Sequence, residues 1–221
     1  MSGGGSLMSG EFSNGVPYSN RRDDRSQYRG KRLLDLMIVA LVALPAIVIG
    51  LVAILAILLE DGRPALFRQV RIGCSGRQFV LLKLRTMTAV KRSKDAFPDP
   101  RDFTRTGRML RRLSIDEIPQ LINVLRGEMS IVGPRPTLPY QVQRYDSRQA
   151  CRLHVLPGLT GLAQVNGRNE MVWSERIEWD LQYVARQSLW LDLKVLARTA
   201  QVILGGNGAA GHPRNDHIAR M

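Results

Sequence analysis

The chain is predicted to be a mostly helical α+β protein, with an N-terminal re-entrant membrane helix hairpin, interfacial amphipathic helices and a small β element. Three observations predict this class. Leu36 to Leu59 is a run of 24 residues with no charged or strongly polar side chain, with basic residues at both ends. Two short apolar runs, Ala65-Leu66-Phe67 and Phe79-Val80-Leu81-Leu82, flank the turn-forming Gly73-Cys74-Ser75-Gly76. Beyond Arg105, apolar residues recur chiefly at helical spacing.

The chain divides at shifts in composition. Residues 1–30 are rich in Gly, Ser, Asn and Arg without an apolar period, and read as a disordered tail. The opening Met-Ser-Gly-Gly-Gly-Ser resembles an appended linker. Residues 31–60 hold the membrane segment. As a straight helix, its 24 apolar residues would reach about 36 Å, against a hydrocarbon core of about 30 Å. Lys31 and Arg32 precede it and a basic run from Arg63 follows, so the positive-inside rule places both ends in the cytoplasm. A hairpin bent at Pro45 satisfies that rule; a single span with a tolerated proline is the alternative. Residues 61–206 form the remaining domain and 207–221 a flexible tail, whose His212 and His217 read as surface residues.

Net charge sets the class of partner. The 221 residues carry a formal charge of +13, which implies an anionic partner: nucleic acid, anionic lipid or a phosphorylated substrate. Between Arg63 and Arg112 there are 14 Lys or Arg and three acids, Asp95, Asp99 and Asp102. Cys74 and Cys151 are far apart, have no metal-ligand spacing and suit a reducing compartment. No Walker loop, dinucleotide fingerprint, zinc spacing or internal repeat is present.

Candidate chemistry centres on Arg111 to Leu121. Ser114 is read as a helix N-cap, with Glu117 closing a capping box. Asp116 then falls in the first helical turn, where the dipole lowers a carboxylate pKa and free N–H groups can hold a phosphate. Ionised Asp, adjacent Arg111 and Arg112 and a phosphate-binding helix end together suggest phosphoryl transfer to a carboxylate nucleophile. A plain cap fits the same residues. Lys83 and Arg85, at the end of the second apolar run, either face a phosphate or form a solvated strand end. Arg135, fixed between Pro134 and Pro136, either presents a guanidinium with little entropy to lose or simply sits in a plain rigid turn. Arg105 to Leu113 reads as a basic interfacial helix, and Gly127 as a C-cap. Pro157 to Arg168 reads as turn, short strand, turn, with glycines that either permit close approach of a ligand or serve as hairpin punctuation. Trp173, Trp179, Tyr183 and Trp190 suit either headgroup depth or a core, and a last helix covers about Leu191 to Leu204.

Taken in order, the Pro45 membrane segment, Phe79–Met87, Ser114–Leu121, Ser130–Pro136 and Pro157–Arg168 resemble the monotopic phosphoglycosyl transferases, the bacterial sugar transferase family, in its small catalytic-unit form. The resemblance covers about Lys31 to Gly205. It implies an enzyme that transfers a phosphosugar from a UDP-sugar to polyprenyl (undecaprenyl) phosphate, releasing UMP at the cytoplasmic face of the bacterial inner membrane, the first membrane step of glycan assembly. It implies that Asp116 forms a covalent phosphosugar intermediate, that Asp116 and Glu117 hold Mg²⁺, and that the membrane segment is re-entrant. Arg111 and Arg135, with Lys83 and Arg85, are then phosphate ligands; Gly161, Asn166 and Arg168 approach nucleotide or sugar. Small members often carry Ser-Pro at the bend, where this chain has Leu44-Pro45. A membrane-anchored basic protein that binds anionic lipid or nucleic acid without catalysis is the competing reading. Nucleic acid is not expected as a partner, because a carboxylate pair amid the arginines repels a polyanion.

Overall fold

The structure is a computed structural model that describes residues 27–88, 102–167 and 171–204. Expectations for the N-terminal tail, the interior of the Thr88–Asp102 loop, Arg168 and the C-terminal tail with its histidines lie outside the described residues. The fold is mostly helical, with two small sheets and one long apolar N-terminal helix.

That helix, α1, runs from Lys31 to Asp61 as one helix with Pro45 inside it, rather than as the two arms expected of a hairpin. By length and composition it can cross a membrane. Its buried residues, Lys31, Asp35, Val39, Ala46, Gly50, Ala53 and Ile57, recur at three-, four- and seven-residue steps and form one stripe along the whole helix. Leu33, Leu41, Leu44, Leu51, Val52 and Leu59 stay exposed.

Polar contacts hold both ends of α1 to the rest of the chain. At the N-terminal end, Asp35 Oδ1 accepts from Ser130 Oγ (3.0 Å) and the Ile131 amide (3.1 Å), and Lys31 Nζ lies 2.7 Å from Asp192 Oδ2. Arg32 donates to the carbonyls of Val124 (2.6 Å) and Leu125 (2.9 Å). At the other end, Glu60 accepts from the amides of Arg105 (2.7 Å) and Thr106 (2.8 Å). Arg85 donates to the carbonyls of Asp61 (2.8 Å) and Gly62 (2.7 Å), satisfying acceptors that a helix end leaves open.

Strands β1 (Leu66–Ile72) and β2 (Gln78–Leu84) pair as the expected antiparallel hairpin, in register Leu66↔Leu84 through Ile72↔Gln78. Both outrun their apolar cores because cross-strand pairing carries Arg68, Arg71 and Lys83 into the ladder. Helix α2 (Arg105–Arg112) follows, N-capped by Thr104, whose hydroxyl accepts from the Gly107 amide at 2.8 Å. A 3₁₀ turn, Ile115–Glu117, leads into α3 (Gln120–Leu125). Gly127, at φ 73°, follows α3 as expected, its amide bonded to the Val124 carbonyl.

Strand β3 (Ser130–Val132) pairs in parallel with β4 (Gly158–Thr160), across the short helices α4 (Pro139–Val142) and α5 (Ser147–Ala150) and a 3₁₀ turn at Cys151–His154. After β4 the expected second turn is replaced by helix α6 (Leu162–Asn166), then α7 (Trp173–Arg186) and α8 (Leu189–Leu204). Leu162-Ala163-Gln164-Val165 has no helix breaker; the flanking Gly161 and Gly167 end a short helix here rather than a hairpin. Val39, Phe79, Leu81, Val124, Met129, Ile131, Val132, Val155, Tyr183 and Val195 form the main core, so α1 is packed into the domain rather than appended to it. Trp173 and Tyr183 are buried, whereas Trp190 is exposed. Neither cysteine is in a disulfide.

Candidate active site

The chain between α2 and α3 does not form the expected capping box. Ser114 sits in the left-handed region at φ 56°, ψ 20° and makes no side-chain cap. The physical reason lies with Glu117. Its Oε1 accepts from Lys83 Nζ at 2.7 Å and from Arg135 Nη2 at 2.8 Å, so charged partners have taken the carboxylate away from the backbone. Pro119 then stands as N-cap of α3, which suits a residue without an N–H.

Asp116 is buried at 6% exposure, with Oδ2 3.8 Å from Lys83 Nζ. Burial pushes its pKa up, and Lys83, Arg111 and Arg135 only partly offset burial and the neighbouring Glu117. This reverses the expected lowering. A three-residue turn has too little aligned backbone to act as a helix end, so desolvation decides the sign. Burial would raise Glu117 as well, but Arg135 and Lys83 hold it well below the usual carboxylate range. Burial lowers the Lys83 ammonium against the pull of Glu117, and Glu117 raises the Arg135 guanidinium. Two adjacent carboxylates thus have opposite characters: one strongly ion-paired, the other desolvated and less paired.

A cavity of about 590 Å³ opens onto this pair. Lys83, Arg111, Asp116, Glu117 and Arg135 line it, together with the apolar Pro45, Ala46 and Ile49 of α1 and with Thr160, Gln164, Arg176 and Asp180. Arg111 also lies over the Phe103 ring, 4.6 Å from its centroid. The backbone nearby is tight. A Cβ on Gly158 would fall 2.1 Å from the Gly133 nitrogen, and one on Gly161 2.2 Å from the Gly133 carbonyl oxygen, so these turns meet main chain against main chain.

The sequence-predicted residues divide by position. Asp116, Glu117, Lys83, Arg111 and Arg135 come together. Arg85 stands apart, bonded to the end of α1 and 3.0 Å from Asp61 Oδ2. Gly161 lies at the base of α6 against Gly133. Asn166 gives its amide to the Leu162 carbonyl (2.9 Å) and accepts from Arg198 (2.9 Å). Arg168 is outside the described residues.

Four residues, Arg71, Arg152, Gln164 and Asp180, escaped the sequence reading. Arg71 of β1 donates to the Pro136 carbonyl at 3.2 Å, and burial and then Arg135 push its pKa down to about 10. Buried Arg152 pairs with Asp180 and donates to Tyr145 Oη (2.6 Å) and the Arg135 carbonyl (2.9 Å), fixing the backbone that carries the Arg135 guanidinium. Gln164 faces the cavity. A signal existed for Asp180 and its neighbour Arg176. Both fall on the α7 stripe of Trp173, Ile177 and Tyr183, where an apolar side chain is the default.

For a divalent cation the donor set is small. No group of three or more His, Cys, Asp or Glu side chains is found among the described residues. Asp116 and Glu117 nevertheless fit the Mg²⁺ mode in which one or two carboxylates act together with substrate phosphates.

An acidic pair ringed by cations, open to a cavity with an apolar helix for a wall, suits an anionic substrate that carries an apolar group. The chain belongs to the bacterial sugar transferase family, whose pattern matches residues 26–206. It is 46% identical over 179 residues to the uncharacterized sugar transferase EpsL of Bacillus subtilis, covering 80% of this chain and 89% of that protein. It is 44% identical over 190 residues to the UDP-glucose:undecaprenyl-phosphate glucose-1-phosphate transferase of Caulobacter vibrioides, covering 81% and 71%. It is 38% identical over 170 residues to the undecaprenyl-phosphate galactose phosphotransferase of Salmonella typhimurium, covering 68% and 35%.

Proposed function

We propose that the chain transfers a phosphosugar from a UDP-sugar to polyprenyl (undecaprenyl) phosphate in two displacements at one phosphorus, and so initiates assembly of a membrane-linked glycan. A carboxylate oxygen of Asp116 attacks the β-phosphorus; the bond from that phosphorus to the bridging oxygen breaks, and UMP leaves with the oxygen. A phosphate oxygen of the polyprenyl phosphate then attacks the same phosphorus. The aspartyl O–P bond breaks, the carboxylate is restored and polyprenyl diphosphosugar departs.

The observation that carries this reading is the unequal dyad. Glu117 binds Lys83 and Arg135 directly, while Asp116 lies 3.8 Å from Lys83 on the wall of the cavity. Glu117 positions the cations around the phosphates, and Asp116 is left to react. Lys83, Arg111 and Arg135 stabilise charge on the transferring phosphoryl group. Asp116 and Glu117 would hold Mg²⁺ together with the diphosphate, and the ion would neutralise charge on the leaving phosphate.

The same geometry supports a monotopic placement, with α1 bent at Pro45 within one leaflet of the bacterial inner membrane and the domain at the cytoplasmic face. Both ends of α1 bond to one domain and its buried stripe never leaves it, which suits entry and exit on one side. The Pro45 wall of the cavity then faces the leaflet that holds the lipid acceptor.

Incubation with UDP-sugars, Mg²⁺ and undecaprenyl phosphate tests the proposal through release of UMP. Folded protein that releases none from any common UDP-sugar overturns it. Mass analysis with UDP-sugar alone should find the phosphosugar on Asp116; turnover without that adduct would replace two displacements by direct transfer.

A further inference from the structure

We propose that Gln164 and Asp180 form a hydroxyl-reading subsite, a part of the cavity that recognises a vicinal diol on a substrate ring rather than a phosphate. The inference rests on the UDP-sugar reading above and assigns a second end to the same cavity. Both carboxamide atoms of Gln164, Oε1 and Nε2, are buried without a hydrogen-bond partner among the described residues. So is Oδ1 of Asp180, a residue 1% exposed whose other oxygen is bound by Arg152. Both residues line the cavity that holds Asp116. Other buried polar atoms also lack partners, but these three belong to residues that line one cavity, and a bound ligand that pairs them removes the cost of leaving them unpaired.

The chemistry of the atoms selects the ligand. Asp180 Oδ1 and Gln164 Oε1 are acceptors and need donors. A phosphate ester at neutral pH offers acceptors only. Ring hydroxyls donate to both oxygens and accept from Gln164 Nε2 in return. Arg176 adds a cation nearby, but its Nε is bonded to the Met171 carbonyl (3.1 Å) and its guanidinium lies 5.7 Å from the Trp173 ring centroid. Gln164 Oε1 lies close over Gly161, where an added Cβ would meet it at 2.8 Å. The phosphates therefore belong with Lys83, Arg111 and Arg135, and the hydroxyls with Gln164 and Asp180. The diol comes from the hexose or from the ribose, both carried by the same substrate.

Gln164→Met keeps the shape and removes the polar atoms, leaving the Arg152–Asp180 pair intact. Two measurements on the full chain separate the sources: kcat/KM for the UDP-sugar that wild type turns over best, and inhibition by UMP, which has the ribose and no hexose. A hexose subsite lowers kcat/KM by about tenfold or more with UMP inhibition unmoved; a ribose subsite weakens UMP inhibition as well by about tenfold or more. The ligand-free variant should melt no lower than wild type, because it loses only orphaned groups. If neither measurement moves beyond about twofold in a folded variant while wild type still releases UMP, the subsite is wrong and the transfer reaction stands. Absence of UMP release by wild type removes the reaction itself. Gln164→Glu, which substitutes an acceptor for the donor, gives the same readings where the methionine variant does not accumulate.

Discussion

Lys83 Nζ lies 2.7 Å from Glu117 Oε1 and 3.8 Å from Asp116 Oδ2. One ammonium thus sorts two neighbouring carboxylates into a partner and a bystander. The partner is stabilised as an anion; the bystander is desolvated and less compensated, a condition that makes an anion more reactive.

Asp116→Asn should abolish turnover, with a loss of roughly 10³-fold or more, and should eliminate the covalent adduct. It should not destabilise the fold above neutral pH. Because the folded pKa of Asp116 is raised, the group's ionisation costs stability as pH rises from the unfolded carboxylate value through the folded one. Thermal melts of both proteins at pH 7 to 8 check this: the asparagine variant should match or exceed wild type.

Glu117→Gln should act with the opposite sign. Its folded pKa is lowered, so its contribution is fully present above the unfolded value and is lost as pH falls through the folded one. Removing the charge leaves Lys83 and Arg135 facing each other, at a cost of about 1–3 kcal/mol once the partial exposure of Arg135 is allowed for. Denaturant melts at pH 7 should show the loss, and it should shrink in strong acid, where wild-type Glu117 is itself protonated.

Arg135→Lys keeps the charge but not the fork. Loss of paired donor geometry on the transferring phosphate should raise the barrier by about 2–4 kcal/mol. The decrease should fall mainly on kcat rather than KM, read from UMP release under saturating UDP-sugar.

Single cysteines at Arg29 and Arg63, in a chain whose Cys74 and Cys151 are replaced by Ser, report the placement of α1. Both should react with an impermeant thiol reagent from the same side of sealed vesicles. Labelling from opposite sides would establish a span.

Much of this was legible in the sequence because the signals were local. The 24 uncharged residues of α1 need no partner to be recognised, and the glycine-marked hairpin of β1 and β2 announces itself by alternation and turn chemistry. Ser114 misled because its side chain suits a cap while the pull of Lys83 and Arg135 on Glu117, from elsewhere in the chain, decides the backbone. Helix α6 was hidden by glycines at both ends. Lys83, near the end of β2, and Arg85, just past it, carried equal weight in sequence; folding sends Arg85 to the end of α1 and Lys83 to the dyad. Arg152 and Asp180 meet only through tertiary packing, 28 positions apart, so no local pattern could pair them.

The glycine contacts between Gly133, Gly158 and Gly161 leave no room for any side chain there. That part of the scaffold is closed to change: any added atom would force two peptide planes apart and carry Arg135 off the dyad. Room to reshape the cavity therefore lies in side chains that line it, such as those of α6 and α7, and not in the bare backbone behind Arg135.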